Sequence, residues 1–133
     1  MQDRPTANEL LEAVVQFLEQ EVPPAVREPR LRFGLLVATN VLKIVGREVA
    51  AGEGPLVGEW QRLHQLLGQP SPSPRLDGGE LRLAIERLNQ ELCQRIRAGE
   101  ADEGEWAAAV FAHTWATVVD KLRVTNPHYL TQT

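Results

Sequence analysis

The sequence predicts an all-α fold, a single-domain bundle of about five helices. Three observations predict it. Apolar residues recur at helical spacing in five separate stretches, capping residues and glycine or proline stops bracket those stretches, and no segment alternates apolar with polar residues over a strand's length. Short connections favour antiparallel neighbours in an up-and-down arrangement. At 133 residues the chain is long enough for one buried core and too short for two, so residues 1–133 are read as one helical domain.

The first helix opens at Thr6-Ala7-Asn8-Glu9, a capping box in which the threonine hydroxyl and the glutamate carboxylate each accept the other residue's backbone N–H. Its apolar set is Leu10, Leu11, Val14, Phe17, Leu18 and Val22, and Pro23-Pro24 ends it because neither ring can continue the ladder. Pro29 suits the first position of a second helix, which Gly52 can close in a left-handed conformation. Within it, residues 33–49 place Leu35, Val37, Ala38, Val41, Leu42, Ile44, Val45 and Val49 over roughly 200° of the helical wheel. Only a strip of Thr39, Asn40, Lys43 and Arg47 is polar. This helix is therefore expected in the middle of the bundle, with neighbours on several sides.

Pro55 opens a third helix with the stripe Leu56, Trp60, Leu63 and Leu67, stopped by Gly68. Residues 69–79 hold three Pro, two Ser and two Gly, a composition that sustains neither helix nor strand and predicts a flexible loop between helices three and four. Asp77 with Glu80 repeats the capping chemistry for a fourth helix, from about Glu80 to Ala98, with the stripe Leu81, Ala84, Ile85, Leu88, Leu92 and Ile96 and a stop at Gly99. Asp102 caps a fifth helix from about Glu103 to Arg123. It is expected to bury Ala108, Phe111, Trp115, Val118, Val119 and Leu122 and to end before Asn126-Pro127.

The composition, 43% hydrophobic and 24% charged, is that of a globular chain. The longest apolar run, residues 34–42, is interrupted by Thr39 and Asn40 and falls well short of the roughly 18 residues a membrane span needs. The acidic first thirty residues do not read as a secretory signal, and a lone Cys93 suits a reducing compartment, so a cytoplasmic location is expected. With a net charge of -4 and basic residues scattered along the chain, nucleic acid is not an expected partner.

No motif names a reaction. His64, His113 and His128 stand in separate elements, with no paired histidines or cysteines at metal-ligand spacing, so no metal site and no cofactor are expected. His113, Thr117 and Asp120 share one side of the fifth helix, but about 10.5 Å of rise separates His113 from Asp120, too far for a direct bond. Asn40, Lys43 and Arg47 form a polar strip that could hold a carboxylate or phosphate, with His113 as a further candidate; the competing reading pairs Arg47 with an acidic residue of a neighbouring helix. Trp106 falls with Val110 and His113 on what reads as the polar side of the fifth helix, which makes Trp106 and Val110 candidates for an interface with another subunit.

Several strings carry a resemblance. Gln2-Asp3-Arg4-Pro5-Thr6 running into Glu9-Leu10-Leu11, Asn40 with Ile44-Val45 and Arg47-Glu48, Leu88-Asn89 through Arg95-Ile96-Arg97-Ala98-Gly99, and Asp120-Lys121-Leu122 through Asn126-Pro127 to Tyr129-Leu130 together resemble a family of short bacterial proteins described as a domain of unknown function. The resemblance implies genes beside phosphotransferases similar to aminoglycoside and choline kinases and beside acyl-CoA dehydrogenase-like flavoenzymes, hence an accessory role near acyl thioesters. It also implies His and Arg where this chain has Gly34 and Leu36, a departure that counts against a shared catalytic centre there.

The expectation from sequence is a non-catalytic helical module that assembles with itself or with an acyl-CoA dehydrogenase-like or phosphotransferase-like enzyme through an apolar patch. The alternative is a binding protein or small enzyme for an acyl thioester or phosphorylated metabolite, using a pocket between helices lined by Asn40, Lys43 and Arg47 with His113 nearby.

Overall fold

The computed structural model describes residues 3–70 and 76–132, and among these it contains helices and no strand. Five α-helices follow one another: α1 Ala7–Gln20, α2 Pro29–Ala51, α3 Gly54–Leu66, α4 Gly78–Arg97 and α5 Glu105–Thr125. Short 3-10 turns lie at Pro23–Ala25 and Pro127–Thr131. None of the helices is long and apolar enough to cross a membrane.

Local chemistry sets the helix ends. Thr6 Oγ1 accepts from Glu9 N–H at 3.2 Å while the Glu9 carboxylate accepts from Thr6 N–H at 2.7 Å; Asp77 and Glu80 make the same reciprocal pair at 2.8 and 3.2 Å. Gly52 and Gly68 take positive φ angles of 60° and 69° where α2 and α3 stop, a conformation that costs a Cβ-bearing residue. Two boundaries move from expectation. Gly78 and Gly79, assigned to the loop by composition, already belong to α4, because the Asp77 cap acts on the residues that directly follow it. In the other shift α5 begins at Glu105, since Gly104 sits at φ 91° and cannot be helical. The centre of the predicted Pro/Ser-rich loop, residues 71–75, lies outside the described residues.

The chain divides into two compact units, the first comprising Met1–Gly52 with Leu122–Thr133 and the second Glu53–Lys121. In the first, α1 packs against α2. Leu11, Val15 and Leu18 on α1 are half-buried, as is Val22 just beyond it; on α2 Leu35, Leu42, Ile44, Gly46 and Arg47 are half-buried, and Thr39 is the one fully buried residue of that helix. The Thr39 hydroxyl donates to Leu35 C=O at 2.7 Å, which satisfies it within the helix. The second unit holds a closed core: Trp60, Leu63 and Leu67 meet Leu81, Ile85, Leu88 and Leu92 of α4 and Val110 of α5. The stripes read for α3 and α4 are the ones buried, except that Ile96 emerges and Leu56 and Ala84 are half-buried.

Two burial expectations are corrected. In its unit α2 has α1 against Leu35, Thr39, Leu42 and Gly46 and the end of α5 at Arg47, but Phe33, Leu36, Val37, Val41, Val45 and Val49 are exposed, Phe33 and Leu36 at 67% each. The wheel measures how much of a helix is apolar and carries no information about what covers it. On α5 the most buried side is not the one expected: Val110 and His113 are buried, Val119 and Leu122 of the expected set are half-buried, and Ala108, Phe111, Trp115 and Val118 are exposed, Phe111 and Trp115 at 70% and 61%.

Asp77→Ala removes one half of a capping box and is expected to lower unfolding free energy by about 1 kcal/mol. Urea denaturation measures this, and an unchanged midpoint would show that α4 does not depend on its cap.

Candidate functional site

The polar strip of α2 lies along one side of its pairing with α1. Glu12, Gln16 and Glu19 from α1 face Lys43 and Arg47 from α2 across a groove of about 420 Å³. Both cations are engaged. Lys43 pairs with Glu19, and Arg47 Nε donates to Val124 C=O at 2.6 Å. That carbonyl is in the last turn of α5, where carbonyls lack helical partners and a cation is favoured. Arg47 therefore ties a helix end and does not pair with a carboxylate there. Asn40 is exposed and edges an adjacent hollow with Val37 and Lys43. The groove thus joins Lys43 with Arg47, while His113 belongs to the second unit. Gly34 and Leu36 are exposed on α2.

A second polar group, which sequence reasoning saw only in part, lies in the second unit. Arg62 of α3 reaches α5 and donates through Nη2 to Thr117 Oγ1 at 3.4 Å and to Asp120 Oδ2 at 3.3 Å. Gly58, one turn earlier, leaves the room: a Cβ there would stand 3.3 Å from Arg62 Nη1. Glu59 is buried and accepts from Asn89 Nδ2 at 3.2 Å. His64 is buried with its ring edge-on to Trp60, centroids 4.7 Å apart at 78°. His113 is buried as well. The Nδ1 atoms of both histidines, and Nε of Arg62, have no hydrogen-bond partner. Burial pushes the His113 imidazole below its ordinary value, the Arg62 guanidinium pushes it further down, and the Glu59 carboxylate pulls against both.

Beside this cluster, Arg62, Gln65 and His113 on one hand and Leu66, Trp106 and Ala109 on the other line a hollow of about 420 Å³. Its chemistry suits a ligand with one polar and one apolar end. The Asp120 carboxylate is turned to Arg62, and Cys93 is exposed on α4, so neither meets the His113 ring in a nucleophile–base pairing. Among the described residues no group of three or more His, Cys, Asp or Glu could hold a metal ion. The signal for this cluster was in the sequence: Glu59 and His64 flank the buried stripe of α3, and Arg62 lies on the side that α5 approaches.

Trp106 and Val110 occupy positions unlike those of an exposed anchor. The Trp106 indole N–H donates to Leu66 C=O at 3.0 Å, the Arg95 guanidinium stacks 4.3 Å from its ring centroid, and Val110 lies in the core. The open aromatic groups on α5 are Phe111 and Trp115, with Val118 exposed one turn on. In the first unit the open apolar side chains form two stripes: Leu10, Val14 and Phe17 on α1, and Phe33, Val37, Val41 and Val45 on α2. Because α1 and α2 run antiparallel, Val41, Val45 and Val49 lie on the flank of the pair that also carries the α1 stripe, opposite the polar groove.

A family model described as a domain of unknown function, DUF6285, matches residues 24–129. No curated protein and no solved structure matches the chain.

The depressed His113 value predicts a pH dependence. Above about pH 6.5 the imidazole is neutral in folded and unfolded chains alike. As pH falls below that value the unfolded chain takes up the proton first, so stability declines toward the lower folded value, by at most about 1.4 kcal/mol per pH unit. Chemical denaturation at pH 7.5 and 5.5 should show a smaller loss in His113→Gln than in the parent; equal losses would show that His113 does not carry the effect.

Proposed function

We propose that this chain, which belongs to the family of the domain of unknown function DUF6285, works as a non-catalytic helical assembly module whose first unit binds another protein surface. The observation that carries the reading is the pair of open apolar stripes on α1 and α2. Isolated soluble proteins rarely expose contiguous apolar patches beyond a few hundred Å², and larger ones mark interaction sites. Leu10, Val14 and Phe17 on α1 share a flank with Val41, Val45 and Val49 on α2, six exposed apolar side chains on two packed helices that support this reading. The second unit meanwhile encloses its own core.

A cytoplasmic setting fits an exposed thiol at Cys93, which a reducing compartment preserves. An acyl-CoA dehydrogenase-like or phosphotransferase-like enzyme is one class of partner for the patch, on the strength of the sequence resemblance; a further copy of the chain is another. A second reading, a binding site for a small amphipathic molecule such as an acyl thioester, is favoured by one observation: the hollow has a polar wall of Arg62, Gln65 and His113 and an apolar wall of Leu66, Trp106 and Ala109.

Val41→Asp places a charge in the middle of the α2 stripe at an exposed position, where an isolated chain tolerates it. The assembly reading expects sedimentation to shift from a complex to the monomer with helical content unchanged in circular dichroism. Sedimentation identical to the parent would overturn it. Titration of butyryl-CoA followed by Trp fluorescence tests the second reading, and binding that survives Arg62→Gln unaltered would remove the hollow as its site.

A further inference from the structure

We propose that the stretch of α5 from Trp106 to Asp120 is a proton-released element: a proton taken up by His113 detaches it from α3 and leaves α3 and α4 packed on each other. The inference concerns the second unit alone and stands apart from the assembly reading.

Little holds this stretch in place. α3 and α4 share a closed apolar contact in which Trp60, Leu63 and Leu67 meet Leu81, Ile85, Leu88 and Leu92. α5 is 21 residues long and fully buries two of them, Val110 and His113. One of the two is titratable. Phe111, Trp115 and Val118 are exposed and add nothing to the attachment. The remaining ties are polar and lie toward the two ends. At one, the Trp106 indole N–H donates to Leu66 C=O at 3.0 Å with Arg95 over the ring. At the other, Arg62 Nη2 donates to Thr117 Oγ1 and Asp120 Oδ2 at 3.4 and 3.3 Å, beyond the roughly 3.2 Å upper end of well-formed N–H···O bonds.

A proton on His113 acts on the middle of this attachment. Both nitrogens of an imidazolium are donors, and Nδ1 is buried with no acceptor beside it. Burial of the ring is the first obstacle to the charge and the Arg62 guanidinium the second; the Glu59 carboxylate, which accepts from Asn89 of α4, favours the charge but does not offset them. Asp120, on α5 itself, is turned to Arg62. Release removes both obstacles, because water hydrates the ring and the two cations separate. The open form therefore binds the proton more tightly than the closed one. As pH falls below about 6.5, opening gains up to about tenfold per pH unit and levels off once the closed form titrates as well. The α4 stripe Leu81, Ile85, Leu88 and Leu92 holds no titratable group, so the contact of α4 with α3 persists.

The test is hydrogen exchange of the full chain at pH 7.5 and 5.5, with each amide rate divided by its intrinsic rate at that pH. Peptides within residues 106–120 are expected to exchange several-fold faster at the lower pH, at most about tenfold, while residues 81–92 keep their protection. His113→Gln is expected to abolish the acceleration, and His64→Gln, which removes the other buried imidazole, to retain it. NMR titration of the imidazole signals in the unmutated chain keeps the test readable if a variant fails to fold: His113 is expected to take up its proton over the pH range in which 106–120 opens. The proposal is overturned by exchange in 106–120 that ignores pH, by an acceleration that α4 shares equally, by one that persists in His113→Gln or is lost in His64→Gln, or by a His113 ring that stays neutral while 106–120 opens.

Discussion

A helix in water keeps most of its circumference polar unless something lies against it, and α2 does not. Its apolar arc spans the side that α1 covers and the side away from α1, with Lys43, Arg47 and Asn40 confined to the strip between. The chain covers the α1 side and ties Arg47 to the end of α5, yet Phe33, Val37, Val41 and Val45 stay exposed. The rest of the functional account depends on that imbalance, because burial of apolar area is the main favourable term in association and its absence in an isolated chain leaves a surface with a strong tendency to find a partner.

The second unit solves a different problem. α5 is apolar around much of its surface, yet the side it buries includes His113, Thr117 and Asp120. Polar groups can enter a core only when something satisfies them, and Arg62 does so for Thr117 and Asp120. Trp106 is settled the same way, its N–H given to Leu66 C=O and its ring face to Arg95. These bonds fix which face of α5 turns inward and leave Phe111 and Trp115 outside. The Nδ1 atoms of His64 and His113 are left buried and without a hydrogen-bond partner by this arrangement, and of the two residues His113 lines the hollow beside Arg62.

Much of the fold was legible in the sequence, and the reason is locality. Capping boxes at Thr6 and Asp77, proline at the starts of α2 and α3, and glycine at their ends act through bonds within a few residues, so position in the sequence is enough to read them. The α3 and α4 stripes were legible because each is narrow and has one apolar side. On α2 and α5 periodicity failed, since a helix apolar on two sides has two candidate inner faces and the choice is made by residues far away in the chain. Arg62 stands 55 positions before Thr117. The same holds for the candidate sites: His113 was visible as a residue, whereas its company of Glu59 and Arg62 comes from α3 and needed the packing to assemble it.

The central claim is that association completes the surface of α2, and amide hydrogen exchange followed across a dilution series tests it most directly. Covering a helix raises the free energy of its local opening, so protection becomes concentration-dependent only for segments that association buries. The account predicts that exchange in residues 30–49 slows as protein concentration rises, while α4, whose stripe already lies in a closed core, exchanges at a constant rate. Exchange in residues 30–49 that is independent of concentration would contradict it.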